Sequence, residues 1–368
     1  MHVTQVTITI VVVPQIEPLA PYRSRIRSTS TTTKAIVQVA TDEGISGLGE
    51  ANFNFVEGVS GRRMQAEAQS WLTGRDPLRI HEFHQECPLE TRLKSGVEIA
   101  LWDILGKSTG KSVSDLCGAA LSKMLGGDPV EEVEAAACMG IQSYELAGEL
   151  AHYYVEQGFS TLKTKAGSDM QEDLEMVRGI RDAVGDRLKL RIDPNCGYSR
   201  KQSAELAQRL EEYDLEYLEQ PLPDHPLEDA VWLRSQSKTP LALNESVTDP
   251  ASVNRILEMG AADFILPDTH IAGGILPCLE IGWICQAARV PCIMHCGHDL
   301  GPKTAAMIHI AAALPSYSLA NDTTYYGLES DILTTPLRLQ RGKFAVPSGP
   351  GLGIELDKEL LQRYCVEC

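Results

Sequence analysis

Six polar residues of this 368-residue chain each end a short apolar run. Lys165 closes T-L-K-T-K, Asp193 closes L-K-L-R-I-D and Glu219 closes L-E-Y-L-E. Glu245 closes L-A-L-N-E, Asp268 closes F-I-L-P-D and His295 closes C-I-M-H. The steps between them are 28, 26, 26, 23 and 27 residues. Each type has its own chemistry. Lys163 and Lys165 are two apart and so share one face of a strand. Two ammonium groups at close range near a divalent cation repel each other, which predicts that one has a lowered pKa and serves as a base. Asp193, Glu219 and Glu245 offer hard oxygen ligands of the kind that suits Mg²⁺. An Asp such as Asp268 beside His295 fixes the imidazole tautomer and raises its basicity.

These residues share a site only if the elements before them converge. Short apolar runs separated by amphipathic helical sequence are the rhythm of a β-strand, loop, helix repeat. Eight such runs are predicted as strands, at 135–139, 161–165, 189–193, 216–219, 240–244, 263–267, 291–295 and 318–321. Eight make a complete (β/α)8 barrel, whose strand ends meet at one mouth. In that circle the second and sixth strands face each other, so Lys165 and the Asp268/His295 couple stand on opposite sides of the three acidic residues. Two bases flanking one bound carbon suit removal of a proton α to a carboxylate, with a metal stabilising the enediolate.

The fold class is therefore α/β, a (β/α)8 barrel with an α+β capping domain. Residues 1–127 lack the barrel rhythm and read as the cap, with strands at 6–13, 35–40 and 45–49, a turn at Asp42-Glu43-Gly44, and helical stretches at 97–106 and 114–117. Residues 128–330 are the barrel, and 331–368 are expected to return to the cap. A net charge of -17 argues against nucleic acid or an anionic membrane as partner. No signal peptide or membrane-length apolar stretch is visible. Ten scattered cysteines fit free thiols in a reducing cytoplasm, and Cys365-x-x-Cys368 without a second pair is a poor zinc site. A homo-oligomer is the symmetric default.

The motifs T-L-K-T-K, R-I-D-P-N, Y-L-E-Q-P, L-N-E-S-V, L-P-D-T-H-I-A-G-G and M-H-C-G-H, with D-E-G-I-S-G-L-G-E-A at 42–51, A-L-W-D-I-L-G-K at 100–107 and P-G-L-G-I-E-L-D at 350–357, span the chain. Together they resemble the mandelate racemase/muconate lactonizing enzyme family of the enolase superfamily, whose pattern is a Lys or His base with Mg²⁺. The resemblance implies Mg²⁺ as cofactor, a small-molecule carboxylate as substrate, Lys165 as base, Lys163 as carboxylate support, and Asp193, Glu219 and one of Asn244 and Glu245 as ligands. Asp268 with His295 marks the racemase-like branch, since the muconate branch has a lysine where Asp268 stands. That favours Glu245, although some acid-sugar dehydratases use an Asn ligand. Mandelate racemase has a Glu on the eighth strand where Asn321 stands here, which argues against mandelate. Asn195, His298, His270, Asn321 and Arg25 are expected to touch substrate. Arg23, Arg25 and Arg27 lie in a loop either poised to clamp an acid group or merely exposed.

The expected reaction is dehydration of a hydroxylated carboxylate of the acid-sugar type. A racemase, epimerase or cycloisomerase using the same enediolate is the alternative, and a non-catalytic metal- or ligand-binding barrel is a remote third.

Overall fold

The computed structural model describes residues 1–53, 59–124 and 128–367. Strand Val3–Pro14 begins the cap, and ten of its twelve residues are β-branched, side chains that fit a pleated, half-buried surface. It pairs antiparallel with Thr31–Thr41 in a register that sets Ile8 against Val37 and Ile10 against Ala35. Gly44, at φ +78°, turns the chain into Ser46–Asn52, as Asp42-Glu43-Gly44 predicts. Helix Thr91–Thr109 lies on this sheet so closely that a Cβ on Gly49 would sit 1.9 Å from the Gly96 carbonyl oxygen. The predicted helical stretch at 114–117 is a π-turn, Asp115–Ala119, distorted at Gly118.

The barrel is the (β/α)8 fold. Six parallel strands run in order from Glu132–Met139 through Thr161–Lys165, Lys189–Asp193, Tyr217–Glu219 and Leu241–Leu243 to Phe264–Ile265. The seventh stave is less regular than the predicted 291–295. Its ladder pairing is a single bridge, Ile265 to Cys292, because Pro291 has no N–H to offer. Hydrogen bonds still hold it on both sides: Ile293 and His295 donate to the carbonyls of Ile265 and Pro267, and Cys292 donates to Ser316. The eighth strand is Asn321–Thr323, three residues later than predicted, because Pro315–Tyr317 forms a 3-10 turn first. It pairs with Glu132–Met139, and Asp322 donates to the Met294 carbonyl, so the barrel closes.

Inside the barrel, Tyr217, Ala242, Leu266 and Ile293 form a small apolar cluster. Two residues further along each strand, on the same inward face, come Glu219, Asn244, Asp268 and His295. A dry floor thus underlies a polar layer.

The chain after the barrel does two things. Leu339–Gln340 and Lys343–Ala345 form a hairpin that adds to the first barrel strand, while Cys365–Glu367 adds to the cap beside Val3–Pro14. Cys365 is disulfide-bonded, so the cysteines are not all free thiols; eight others among the described residues are. No helix among the described residues is long and apolar enough to cross a membrane.

Candidate active site

The two lysines of the second strand both point into the barrel mouth. Lys163 is buried, with its Nζ 2.8 Å from Glu219 Oε1, 2.8 Å from Asp322 Oδ2 and 3.4 Å from Asp193 Oδ2. Lys165 donates to Asp193 Oδ2 and is the more open of the pair. The expectation of a lowered lysine pKa does not hold in this arrangement. Burial works against both charges, but Asp322, Glu219 and Asp193 outweigh it at Lys163, and Asp193 with Glu219 outweighs burial and the neighbouring Lys163 at Lys165, so both amines are raised.

The carboxylates come from successive strands. Burial opposes the charge on Asp193, but Lys165 and Lys163 hold its pKa below the usual range. Glu219 shifts the other way, pushed up by burial and then by Asp193. Asn195, left-handed at φ +46°, donates from Nδ2 to both Asp193 Oδ2 (3.3 Å) and Glu245 Oε1 (3.2 Å). Glu245 is therefore tied to the cluster although its strand ends at Leu243, and its Oε2 is buried with no hydrogen-bond partner. Asn244 faces inward, but its Nδ2 donates to the Leu266 carbonyl at 2.8 Å. An oxygen-rich donor set with an orphaned buried carboxylate oxygen fits a hard divalent cation such as Mg²⁺. Among the described residues, Asp193, Glu219 and His295 bring metal-type atoms within 4.8 Å of one another, and Glu245 is not part of that group. His295 is the weaker candidate, because a ring nitrogen suits Mg²⁺ poorly.

Across the mouth, His295 Nδ1 lies 3.0 Å from Asp268 Oδ2. Asp268 Oδ1 accepts from the His270 backbone N–H at 2.8 Å and faces Lys303 Nζ at 2.9 Å. Burial would raise the Asp268 pKa, but Lys303 and His295 bring it well below the ordinary value. Lys303 also meets Asp299 Oδ2 at 2.9 Å, and Asp299 Oδ1 meets Lys34 Nζ at 2.7 Å. Lys34 belongs to the cap, as does Glu50, which accepts from the N–H groups of Leu300 and Lys303 at the start of helix Gly301–Ala313. A run of buried charges thus joins cap to barrel behind the histidine.

A cavity of about 510 Å³ lies between cap and barrel. Lys163, Lys165, Asn195 and His295 line its barrel side; Tyr22, Arg27, Lys34 and four threonines from Thr29 to Thr33 line the cap side. His298 lines it too, with its ring edge-on to Tyr22 and Nδ1 2.8 Å from Gln15 Nε2. Burial and the charges of Lys34 and Lys165 lower its pKa to about 3, so the ring is neutral.

Three expected substrate contacts lie elsewhere. His270 turns into the cap–barrel joint, where its Nε2 lies 3.2 Å from the Glu50 carbonyl oxygen and burial lowers its pKa to about 3. Asn321 accepts from the Met294 N–H and donates to the Leu319 carbonyl, so its amide serves the barrel wall. Arg25 donates to the Asn195 carbonyl and latches the cap loop to the barrel rim. Arg23 pairs with Glu172 at the surface. Residues 54–58, between strand Ser46–Asn52 and helix Gly61–Leu72, lie outside the described residues. Asp322, which pairs with Lys163 and with buried Arg191, was not anticipated. Its only sequence signal was its place beside Asn321.

The model of the mandelate racemase/muconate lactonizing enzyme N-terminal domain matches residues 7–118, and that of the enolase C-terminal domain-like family matches residues 145–360. D-galactarolactone cycloisomerase of Agrobacterium fabrum is 28% identical over 359 residues, covering 89% of this chain and 90% of that protein. Arabinonate dehydratase of Saccharolobus solfataricus is 29% identical over 275 residues, covering 73% and 71%. The crystal structure of a dipeptide epimerase from Enterococcus faecalis, complexed with Mg and L-Leu-L-Tyr, superposes with a TM-score of 0.86 at 26% identity, covering 96% of this chain and 100% of that one. With both domain models matched and dehydratases, epimerases and cycloisomerases among its relatives, the chain belongs to the mandelate racemase/muconate lactonizing enzyme family of the enolase superfamily and is an enzyme of its lyase or isomerase kind.

Proposed function

We propose that this enzyme removes the proton α to the carboxylate of a hydroxylated acid of the acid-sugar type and eliminates the β-hydroxyl as water. The observation that carries this reading is that Lys165 and His295 reach one cavity from the second and seventh staves of the barrel. Asp193, Glu219 and Glu245 would hold Mg²⁺, with Asn195 bracing the first and last and Asn244 as the alternative third ligand. Bound there, the ion supplies Lewis-acid stabilisation of the negative charge that develops on the substrate carboxylate.

This chain's own residues do the rest. Lys165 Nζ takes the α-proton in its neutral form, so the amine must first give up both its own proton and its contact with Asp193. Lys163, buried and held protonated by Asp322 and Glu219, keeps a fixed positive charge beside the carboxylate. Asp268 orients His295 through Nδ1, and the ring, once it carries a second proton on Nε2, donates that proton to the departing hydroxyl from the other face. Threonine hydroxyls on the cap wall support a substrate rich in hydroxyls. Racemisation, epimerisation or cycloisomerisation is the second reading. It is supported by the same two proton carriers and by relatives that are cycloisomerases and epimerases.

Proton NMR in D₂O with Mg²⁺ decides between them, using pooled sugar acids, α-hydroxy acids and N-substituted amino acids, with Lys165→Ala as control. Loss of the α-proton signal with growth of a 2-keto-3-deoxy product supports dehydration. Exchange with only stereochemical change or ring rearrangement replaces it with the isomerase reading. Exchange that survives in Lys165→Ala removes Lys165 from the base role.

A further inference from the structure

Lys303 is the least expected charge in the barrel. It has no exposed surface, and its ammonium is desolvated, which is costly unless the group is well paired. It is the third residue of helix Gly301–Ala313, the end where the helix dipole disfavours a cation. The carboxylate of Glu50 already satisfies the N–H groups of Leu300 and Lys303, so the helix start does not need the amine. Its Nζ instead lies 2.9 Å from Asp268 Oδ1 and 2.9 Å from Asp299 Oδ2.

The geometry points to Lys303 as a positioning residue for the Asp268–His295 couple: its ammonium, with the His270 N–H, pins Asp268 Oδ1 so that Oδ2 stays on His295 Nδ1. This inference rests on the acid–base reading of His295 given above. A carboxylate held at one oxygen only can rotate and present either oxygen to the ring. Here Oδ1 is engaged twice, by a hydrogen bond from the amide at 2.8 Å and by an ion pair with Lys303 at 2.9 Å, and Oδ2 faces the histidine at 3.0 Å. Asp268 is thereby kept ionised and aimed, the imidazole proton is kept on Nδ1, and Nε2 is kept toward the cavity. Asp299 and the cap residue Lys34 complete the run and fix Lys303 in turn. A plain structural tie between helix and strand end would need an ion pair, but it would not need that pair on the oxygen opposite the histidine.

The test is the tautomer of His295, read by proton–nitrogen correlation NMR on the full-length protein labelled with ¹⁵N-histidine, assigned with His295→Gln, in EDTA so that no metal enters. The wild-type ring is expected almost wholly in the Nδ1–H form. In Lys303→Met the ratio of Nδ1–H to Nε2–H falls by about tenfold, the weight of a lost interaction with a charged group. Lys303→Arg restores it. If Lys303→Met does not fold, Lys303→Gln, which keeps a donor and loses the charge, is read in the same way. An unchanged tautomer ratio in Lys303→Met or Lys303→Gln, with only a lower melting temperature, overturns the positioning role. A wild-type ring without the Nδ1 proton overturns it together with the acid–base reading of His295. Failure of every acid pool to exchange would count against the proposed reaction alone, because the tautomer is read without substrate.

Discussion

Replacing Asp322 with Asn tests how the polar layer of the barrel is held together. The side chain is fully buried, with Oδ2 2.8 Å from Lys163 and Oδ1 3.1 Å from Arg191. Asn keeps the shape and removes the charge. Removing one partner of a buried pair destabilises by about 3–5 kcal/mol, because the remaining charge is left uncompensated. Here Lys163 keeps Glu219 and Asp193, and Arg191 keeps Glu216 at 2.6 Å and the Ala320 carbonyl at 2.8 Å. The lower end, about 3 kcal/mol, is therefore expected. An unfolding entropy of about 2.1 cal/mol/K per residue gives roughly 0.8 kcal/mol/K over 368 residues, so the apparent Tm should fall by roughly 4 °C. Thermal unfolding in EDTA measures this without a metal contribution. The sharper check is the Lys163→Met background. With the amine gone, Asp322 has lost its nearest partner, and Asp322→Asn should do less harm there, by about 1 kcal/mol or more. A single variant within about 1 °C of wild type, or an undiminished effect in the Lys163→Met background, would refute the view that Asp322 serves mainly as a counterion.

Three further outcomes are expected. His309 is buried between the Ser114 N–H, which donates to Nδ1, and the Leu352 carbonyl, 3.1 Å from Nε2, and burial lowers its pKa to about 4. The unfolded chain takes that proton near pH 6.5 and the folded chain resists it. Its contribution is complete above pH 6.5 and is lost as pH falls toward 4, by about 3 kcal/mol. The Tm gap between wild type and His309→Gln should therefore shrink between pH 7.5 and 4.5, and a constant gap would contradict the assignment. Glu245→Gln should weaken Mg²⁺ binding in calorimetric titration by more than about tenfold and Asn244→Ala much less; the reverse ranking makes Asn244 the ligand. Gly49→Ala forces a Cβ to 1.9 Å from the Gly96 carbonyl, where only backbone can yield, whereas Gly44→Ala meets open space and only the strain of a positive φ. Melting curves should show a loss of about 2 kcal/mol or more for the first and about 1 for the second.

The barrel and its cap were legible because apolar runs ending in a charged residue repeat at a period set by the fold, and because Lys165, Asp193, Glu219, Asp268 and His295 sit where strand alternation places them. What was missed turns on register and on distance along the chain. Asn321 and Asp322 differ by one position, and one position on a strand decides which face a side chain meets. That register is set by pairing with Glu132–Met139, nearly two hundred residues away, where alanines Ala135 to Ala137 carry no pattern that names a partner. The run from Lys34 through Asp299 and Lys303 to Asp268 draws on both ends of the chain, and no local spacing marks it. His270 follows a strand-end Asp, as a mouth residue would, but Thr269–Ala272 forms one helical turn that points its ring back to the cap. Arg25 reads as a free clamp until its loop is seen against the Asn195 carbonyl.

The pairing of Ile10 with Glu367 has a consequence for how the chain comes to be folded during synthesis. The partners are 357 residues apart, so this edge of the cap sheet must wait for the whole barrel to leave the ribosome. Thr31–Thr41 and Ser46–Asn52 can join Val3–Pro14 within the first fifty-odd residues, giving a nascent three-stranded sheet whose Val3–Pro14 edge is bare. That sheet also carries Lys34 and Glu50, whose partners Asp299, Leu300 and Lys303 emerge some 250 residues later. Until then both charges stay hydrated, which keeps the cap from collapsing around an unpaired ion. The exposed edge is the hazard of that interval, since an unpaired strand invites pairing with other chains. Slowing translation across the barrel segment should therefore raise the yield lost to aggregates, whereas supplying the barrel segment in trans should lower it.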